Sequence, residues 1–157
     1  MQKYKTLILI SLTIIILDQL TKAVIANYLI LHQSIEVTRG FFNITYLRNP
    51  GAAFSLFHES GKTFRMFFLT GASVVALLAI FFVYRNVKDN TIYKIALSLI
   101  AGGAVGNLID RIRLGEVIDF LDVYIGRYHW PAFNVADSAI TAGVFLAIFS
   151  LSKNKGV

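Results

Sequence analysis

Hydrophobic and polar positions divide this chain into four long apolar stretches joined by polar connections. Uncharged runs cover Thr6–Leu17, Met66–Tyr84, Ile95–Ile109 and Ser138–Ser152, and a charged residue closes each of them at both ends. Crossing a bilayer's hydrocarbon core takes about 20 helical residues. Met66–Tyr84 nearly meets that length unaided, and the other three runs reach it only by drawing in flanking charges. The pattern therefore predicts membrane-spanning helices at 7–26, 64–84, 92–111 and 134–153. Asp18, Lys22, Asp110 and Asp137 then lie within the membrane or at its rim. An ionisable side chain is expensive there, which makes each a functional candidate.

The connection at 27–62 is too long for a bare loop. Ser34–Thr38 and Phe42–Leu47 have strand composition, with Ile35/Val37 and Phe42/Ile44/Tyr46 on alternate positions, and Gly40 and Asn49-Pro50-Gly51 supply turns. A small antiparallel sheet is predicted there, with one apolar side resting on the membrane or the bundle. The connection at 112–133 is read as a second loop, whose Tyr124, Tyr128 and Trp130 suit a membrane interface. The expected fold is an all-α integral membrane protein in one domain over 1–157. It has four transmembrane helices, a small antiparallel β-sheet and a second loop on one face. Met1–Lys5 and the run after it resemble a secretory leader, but Asp18 and Lys22 interrupt the apolar region, so this segment is read as a retained span.

Composition sharpens the picture. Of 157 residues, 56% are hydrophobic and 15% charged, against roughly 25% charged in a soluble domain. A soluble chain this small has too little interior for so much apolar surface. Cysteine is absent, which removes disulfides, thiolate metal sites and cysteine nucleophiles. The net charge is +6. Lys3, Lys5, Arg85, Lys88, Lys94, Lys153 and Lys155 lie on the side of the N-terminus, opposed there only by Asp89, so all of the excess is on that side. Topology explains this charge without a nucleic-acid partner, and the positive-inside rule makes both termini cytoplasmic. Asp18, Asp110 and Asp137 then fall in the outer parts of their helices.

Several constellations could carry chemistry. Asp18 and Lys22 are spaced i,i+4 and share a helix face, which suits a structural ion pair. Gly102 and Gly106 fit small-residue helix packing rather than a dinucleotide loop, because no strand precedes them. Asn107, Asp110 and Arg111 share one face at the outer rim, as scaffolding or as groups that orient catalytic residues. Asn134 and Asp137 fit a helix N-cap and its third residue. The sharper reading of Asp137 pairs it with a carboxylate just beyond the third span, where spacing alone leaves Glu116, Asp119 and Asp122 open. Two close carboxylates cannot both ionise cheaply, so one holds a proton while the other activates water. His32, His58 and His129 lie apart, and Ser11, Ser73 and Ser98 have no nearby base. Neither a metal site nor a serine triad is expected.

Five segments together resemble the bacterial lipoprotein signal peptidases (signal peptidase II). They are Asp18-Gln19-Leu20-Thr21-Lys22, Asn49-Pro50-Gly51-Ala52-Ala53-Phe54-Ser55, Gly106-Asn107-Leu108-Ile109-Asp110-Arg111, Val117-Ile118-Asp119-Phe120 and Phe133-Asn134-Val135-Ala136-Asp137-Ser138, in the family's order. The resemblance implies an aspartic endopeptidase of the bacterial inner membrane, with its site at the outer face. It would cut prolipoproteins just before a diacylglyceryl-modified cysteine. It makes Asp119 and Asp137 the catalytic pair, and Asp18, Lys22, Asn49, Gly51, Asn107, Asp110, Arg111 and Asn134 supporting or substrate-contacting positions. It implies no metal or organic cofactor, contact with membrane lipid, and a monomer. Readings from other classes are an ion- or proton-coupled carrier, since intramembrane acids also mark relays, and a non-catalytic envelope scaffold.

Overall fold

The computed structural model describes residues 2–51, 62–88 and 90–153. Ala52–Ser55 of the second motif and His58 lie outside the described residues. Four helices carry the apolar runs: α1 (Lys5–Tyr28), α2 (Lys62–Asn86), α3 (Thr91–Leu114) and α4 (Val135–Lys153). All four are long and apolar enough to cross a membrane. Ile8, Leu12, Phe67, Leu78, Phe145 and Phe149 are among many large apolar side chains left exposed along them. Such surface is stable against lipid, and helices satisfy their backbone groups internally there. The chain is a multi-pass membrane protein.

Helix α3 is central, packing against α4, α1 and α2. Glycines set how closely it does so. A Cβ on Gly102 would meet the Ser11 backbone of α1 at 2.9 Å, and one on Gly103 would collide with the Ala136 carbonyl of α4. Gly143 of α4 lies as tightly against the Ala96 carbonyl. Without a hydrophobic force between helices in lipid, such close approach is a main source of association.

One end of the bundle is tied by polar contacts. Lys3 Nζ donates to the Arg85 carbonyl at 2.6 Å, and Ser150 Oγ donates to Asn90 Oδ1 at 2.9 Å. The N-terminus, the α2–α3 connection and the end of α4 therefore share an end. The sheet occupies the other, built from β1 (Ser34–Thr38), β2 (Phe42–Asn49), β3 (Val117–Ile125) and β4 (Tyr128–His129) in that order, with antiparallel pairing throughout.

Half of this sheet comes from the connection read as a loop. Strand β3 escapes the alternation rule because Val117, Ile118, Asp119 and Phe120 are all buried, so no polar face marks it. Ile118 and Phe120 pack with Tyr46 of β2 and Ile25 of α1. Helix α3 ends on Gly115 (φ 74°), whose N–H returns to the Arg111 carbonyl at 3.0 Å. That turn sends the chain directly into β3.

Candidate active site

The site begins with a buried ion cluster. Lys22 Nζ lies 2.8 Å from Asp18 Oδ2 and 2.9 Å from Asp110 Oδ2, and it donates to Asn107 Oδ1 at 2.9 Å. Three donors thus meet three acceptors, which an ammonium removed from water requires. The acids are satisfied in turn. Asp18 Oδ1 accepts from the Ala136 N–H in the first turn of α4 at 3.0 Å, where a helix N-terminus favours negative charge. Asp110 accepts from the Ile118 N–H at 3.1 Å and from Gln19 Nε2 at 3.0 Å. The cluster joins α1, α3, β3 and α4 at one point.

Two asparagines lead outward from it. Asn107 accepts from Lys22 and donates through Nδ2 to Asp137 Oδ1 at 2.7 Å. Asn134 Nδ2 donates to Asp119 Oδ1 at 2.8 Å and also reaches Asn107 Oδ1 and the Ile118 carbonyl at 3.2 Å. Asn134 and Asp137 also cap α4 reciprocally. On the far side, Asn49 Nδ2 donates to Asp119 Oδ2 at 2.9 Å, and Asn49 Oδ1 accepts from the Gly51 N–H at 2.9 Å. That Asx turn fixes which way the Asn49 amide points. Gly51 has φ 91°, and a Cβ there would run into Leu69 of α2.

Asp119 and Asp137 line one cavity of about 820 Å³. Asn49 is on its wall, with Trp130–Phe133 on one side and Thr141 and Phe145 of α4 on another. Asp119 is only 3% exposed. Burial pushes its pKa up to about 6, partly offset by the Asn49 hydrogen bond and reinforced by Asp137. A carboxyl whose pKa is raised to about 6, beside a second carboxylate in the same cavity, is equipped for acid–base work on a water and a carbonyl.

Comparison with known proteins gives this arrangement a family. The family model for signal peptidase (SPase) II matches residues 10–153. The chain belongs to the signal peptidase II family. The lipoprotein signal peptidase of Syntrophus aciditrophicus (strain SB) is 51% identical to it over 156 residues, covering 96% of this chain and 97% of that one. That of Geobacter sulfurreducens (strain ATCC 51573 / DSM 12127 / PCA) is 56% identical over 133 residues, covering 84% and 82%. A bacterial membrane enzyme solved by the in meso method at 2.3 Å resolution superposes with a TM-score of 0.83 at 41% identity, covering 96% of this chain and 90% of that one. A second, at 1.9 Å resolution, gives 0.80 at 42% identity, covering 93% and 92%.

Within this signal peptidase II fold, the positions that the sequence left open are distributed as follows. Asp119 faces the cavity. Asp122 does not line it: its Oδ2 accepts from Asn43 Nδ2 at 2.9 Å and its Oδ1 lies 2.8 Å from His129 Nδ1. Glu116 sits in the turn before β3, also away from the cavity. Arg111 departs from Asn107 and Asp110 and donates through Nη1 to Ser73 Oγ of α2 at 3.3 Å, while its charge acts on Asp137, Asp119 and Asp110. Gln19, which bridges Asp18, Asp110 and the Gly106 carbonyl, is a participant that the spacing did not single out. Its signal is an amide inside an apolar span. Thr141, Ala142 and Phe145 carry no such mark, since apolar and small residues are ordinary in a membrane helix.

Proposed function

We propose that this chain is an aspartic endopeptidase that removes signal peptides from prolipoproteins, hydrolysing the bond just before a diacylglyceryl-modified cysteine. The observation that carries this reading is the placement of Asp119 and Asp137, from β3 and from the start of α4, on one cavity at the sheet end of the spans. A substrate anchored by acyl chains must be cut near the bilayer surface, where its chains stay in lipid. Membership of the signal peptidase II family supports the same reaction.

In this mechanism Asp137 is the ionised member, held by Asn107 and by its place at a helix N-terminus. Asp119 is the protonated member, consistent with a pKa of about 6. Asp137 takes a proton from a water whose oxygen attacks the scissile carbonyl, and Asp119 donates its proton to the developing oxyanion. Collapse of the tetrahedral intermediate returns a proton to Asp119 and delivers the proton on Asp137 to the leaving amine. Two carboxylates and one water balance the reaction.

Asn49, Asn107 and Asn134 aim the pair, while Asp18, Lys22 and Asp110 hold the asparagines' supporting elements together. Gly51 keeps the Asn49 turn, and Arg111, tied to Ser73 of α2, supports the pair with its positive charge. The protein works as a monomer in the inner membrane, in contact with lipid, with both termini cytoplasmic and the site at the outer face. The positive charge grouped at the end tied by Lys3 and Arg85 supports that orientation.

The test is cleavage of a synthetic prolipoprotein peptide carrying a diacylglyceryl cysteine, by the purified chain in detergent. Release of the peptide amino-terminal to that cysteine, with none from the unlipidated peptide, is expected. A folded preparation that cuts neither would overturn the proposal.

A further inference from the structure

A second cleft, of about 250 Å³, shares no lining residue with the first. It opens between the last turns of α1 and α3 and strand β2. This is the sheet end of two membrane spans, the level at which hydrocarbon gives way to lipid headgroups.

The charged groups left free in this cleft are cationic. Arg48 and Arg113 line it from β2 and α3, both exposed, and neither has an ion-pair partner among the described residues. Tyr46, 5% exposed, accepts at its hydroxyl from Arg48 Nε at 3.2 Å and Nη2 at 3.1 Å. The Tyr46 hydroxyl donates its own proton to no acceptor among the described residues. Asn27 adds an amide. The one acid present, Asp110, is already occupied by Gln19, Lys22 and the Ile118 N–H, and Lys22 is held between two carboxylates.

Two uncompensated guanidinium groups and a buried hydroxyl with its proton unspent, beside a single carboxylate that is already occupied, select an oxyanion over a cation. Guanidinium planes match phosphate oxygens in pairs, and basic pockets between spans at a membrane surface take lipid headgroups. We propose that this cleft is a phosphate site, filled by the headgroup of a membrane phospholipid whose acyl chains run down the exposed face of α1.

The purified full chain, stripped of lipid in an uncharged detergent, is titrated with short-chain phosphatidylglycerol and, separately, with inorganic phosphate. Saturable one-site binding of the lipid is expected. It should weaken by about tenfold or more in R48Q/R113Q, the weight of one hydrogen bond to a charged group. R48K/R113K should fall between, keeping the charge and losing the paired geometry, and Tyr46→Phe should weaken binding about threefold. Both arginines are exposed, and an unchanged melting temperature without ligand certifies the fold of each variant. Inorganic phosphate that competes weakly supports a lipid source; inorganic phosphate that binds as tightly as the lipid overturns the lipid source. Uptake that never saturates, or that is equal in the parent and R48Q/R113Q, overturns the site.

Discussion

Asn134 and Asp137 hold each other: Asn134 Oδ1 accepts from the Asp137 N–H at 2.9 Å, and Asp137 Oδ2 accepts from the Asn134 N–H at 3.3 Å. The same two residues are tied to the rest of the site, Asn134 to Asp119 and Asp137 to Asn107. The carboxylate that caps α4 is thus the same one proposed to take the proton from water. The cap fixes where the carboxylate points, and the remaining oxygen faces its neighbours.

The ion cluster beneath the site is expected to be essential to folding. Lys22→Met would leave Asp18 and Asp110 buried with no cation between them. Breaking a buried pair from one side costs about 3–5 kcal/mol. Thermal unfolding in detergent should show a loss of that size, and a loss under about 1 kcal/mol would contradict the assigned role.

Helix packing gives a paired prediction. Gly103→Ala drives a methyl into the Ala136 carbonyl and Ile140, and overpacking of this kind costs about 1–3 kcal/mol. Gly71→Ala meets nothing within 4 Å and should be neutral or gain roughly 0.5–1 kcal/mol from lost chain entropy. Equal melting temperatures for the two variants would refute the close α3–α4 contact.

Asp119 predicts the pH response. Its folded pKa is about 6 against 3.8 for the free side chain, chiefly through burial. Its contribution to stability is therefore complete below 3.8 and lost as pH rises through about 6. The cleavage rate, as kcat/KM, should be bell-shaped, and its alkaline limb should follow loss of the Asp119 proton. Asn49 favours the ionised form through its hydrogen bond. Asn49→Ala should consequently move the alkaline limb to higher pH. A limb that stays put, or moves down, would separate Asn49 from the titrating group.

The orientation can be read chemically because the chain has no cysteine of its own. Single cysteines at Arg127, in the β3–β4 turn, and at Lys88, between α2 and α3, mark the two ends of the bundle. An impermeant thiol reagent should label Arg127→Cys in intact cells and spare Lys88→Cys. The reverse pattern would invert the topology.

The spans and the i,i+4 pairing of Asp18 with Lys22 are legible in the sequence, because lipid imposes a length and a helix imposes a period. The cap formed by Asn134 and Asp137 is legible for the same local reason. Strand β3 is not, since Val117–Phe120 is buried on both faces and shows no alternation. The choice of Asp119 over Asp122 depends on register. Leu47 opposes Asp119 and Asn43 opposes Asp122, with a bulge in β2 between Ile44 and Leu47. That irregularity places Asn49 beside Asp119 rather than at a position that local spacing would suggest. The contacts of Lys22 with Asp110 and Asn107 join residues more than 80 positions apart, and only the packing of α1 on α3 brings them together.

The most direct measurement is the cleavage rate of the lipidated peptide by Asp119→Asn, Asp137→Asn and the double variant, with Asp122→Asn alongside. Asn nearly matches Asp in size, and the amide that replaces the Asp137 carboxylate keeps an oxygen for the cap, but it cannot carry the proton. Each single variant should lose activity by about a thousandfold or more while remaining folded, and the double should be hardly worse, because the pair acts as a unit. Asp122, bound to Asn43 and His129 away from the cavity, should tolerate the same change with most activity retained. Near-normal cleavage by either Asp119→Asn or Asp137→Asn would contradict the carboxylate pair as the catalytic centre.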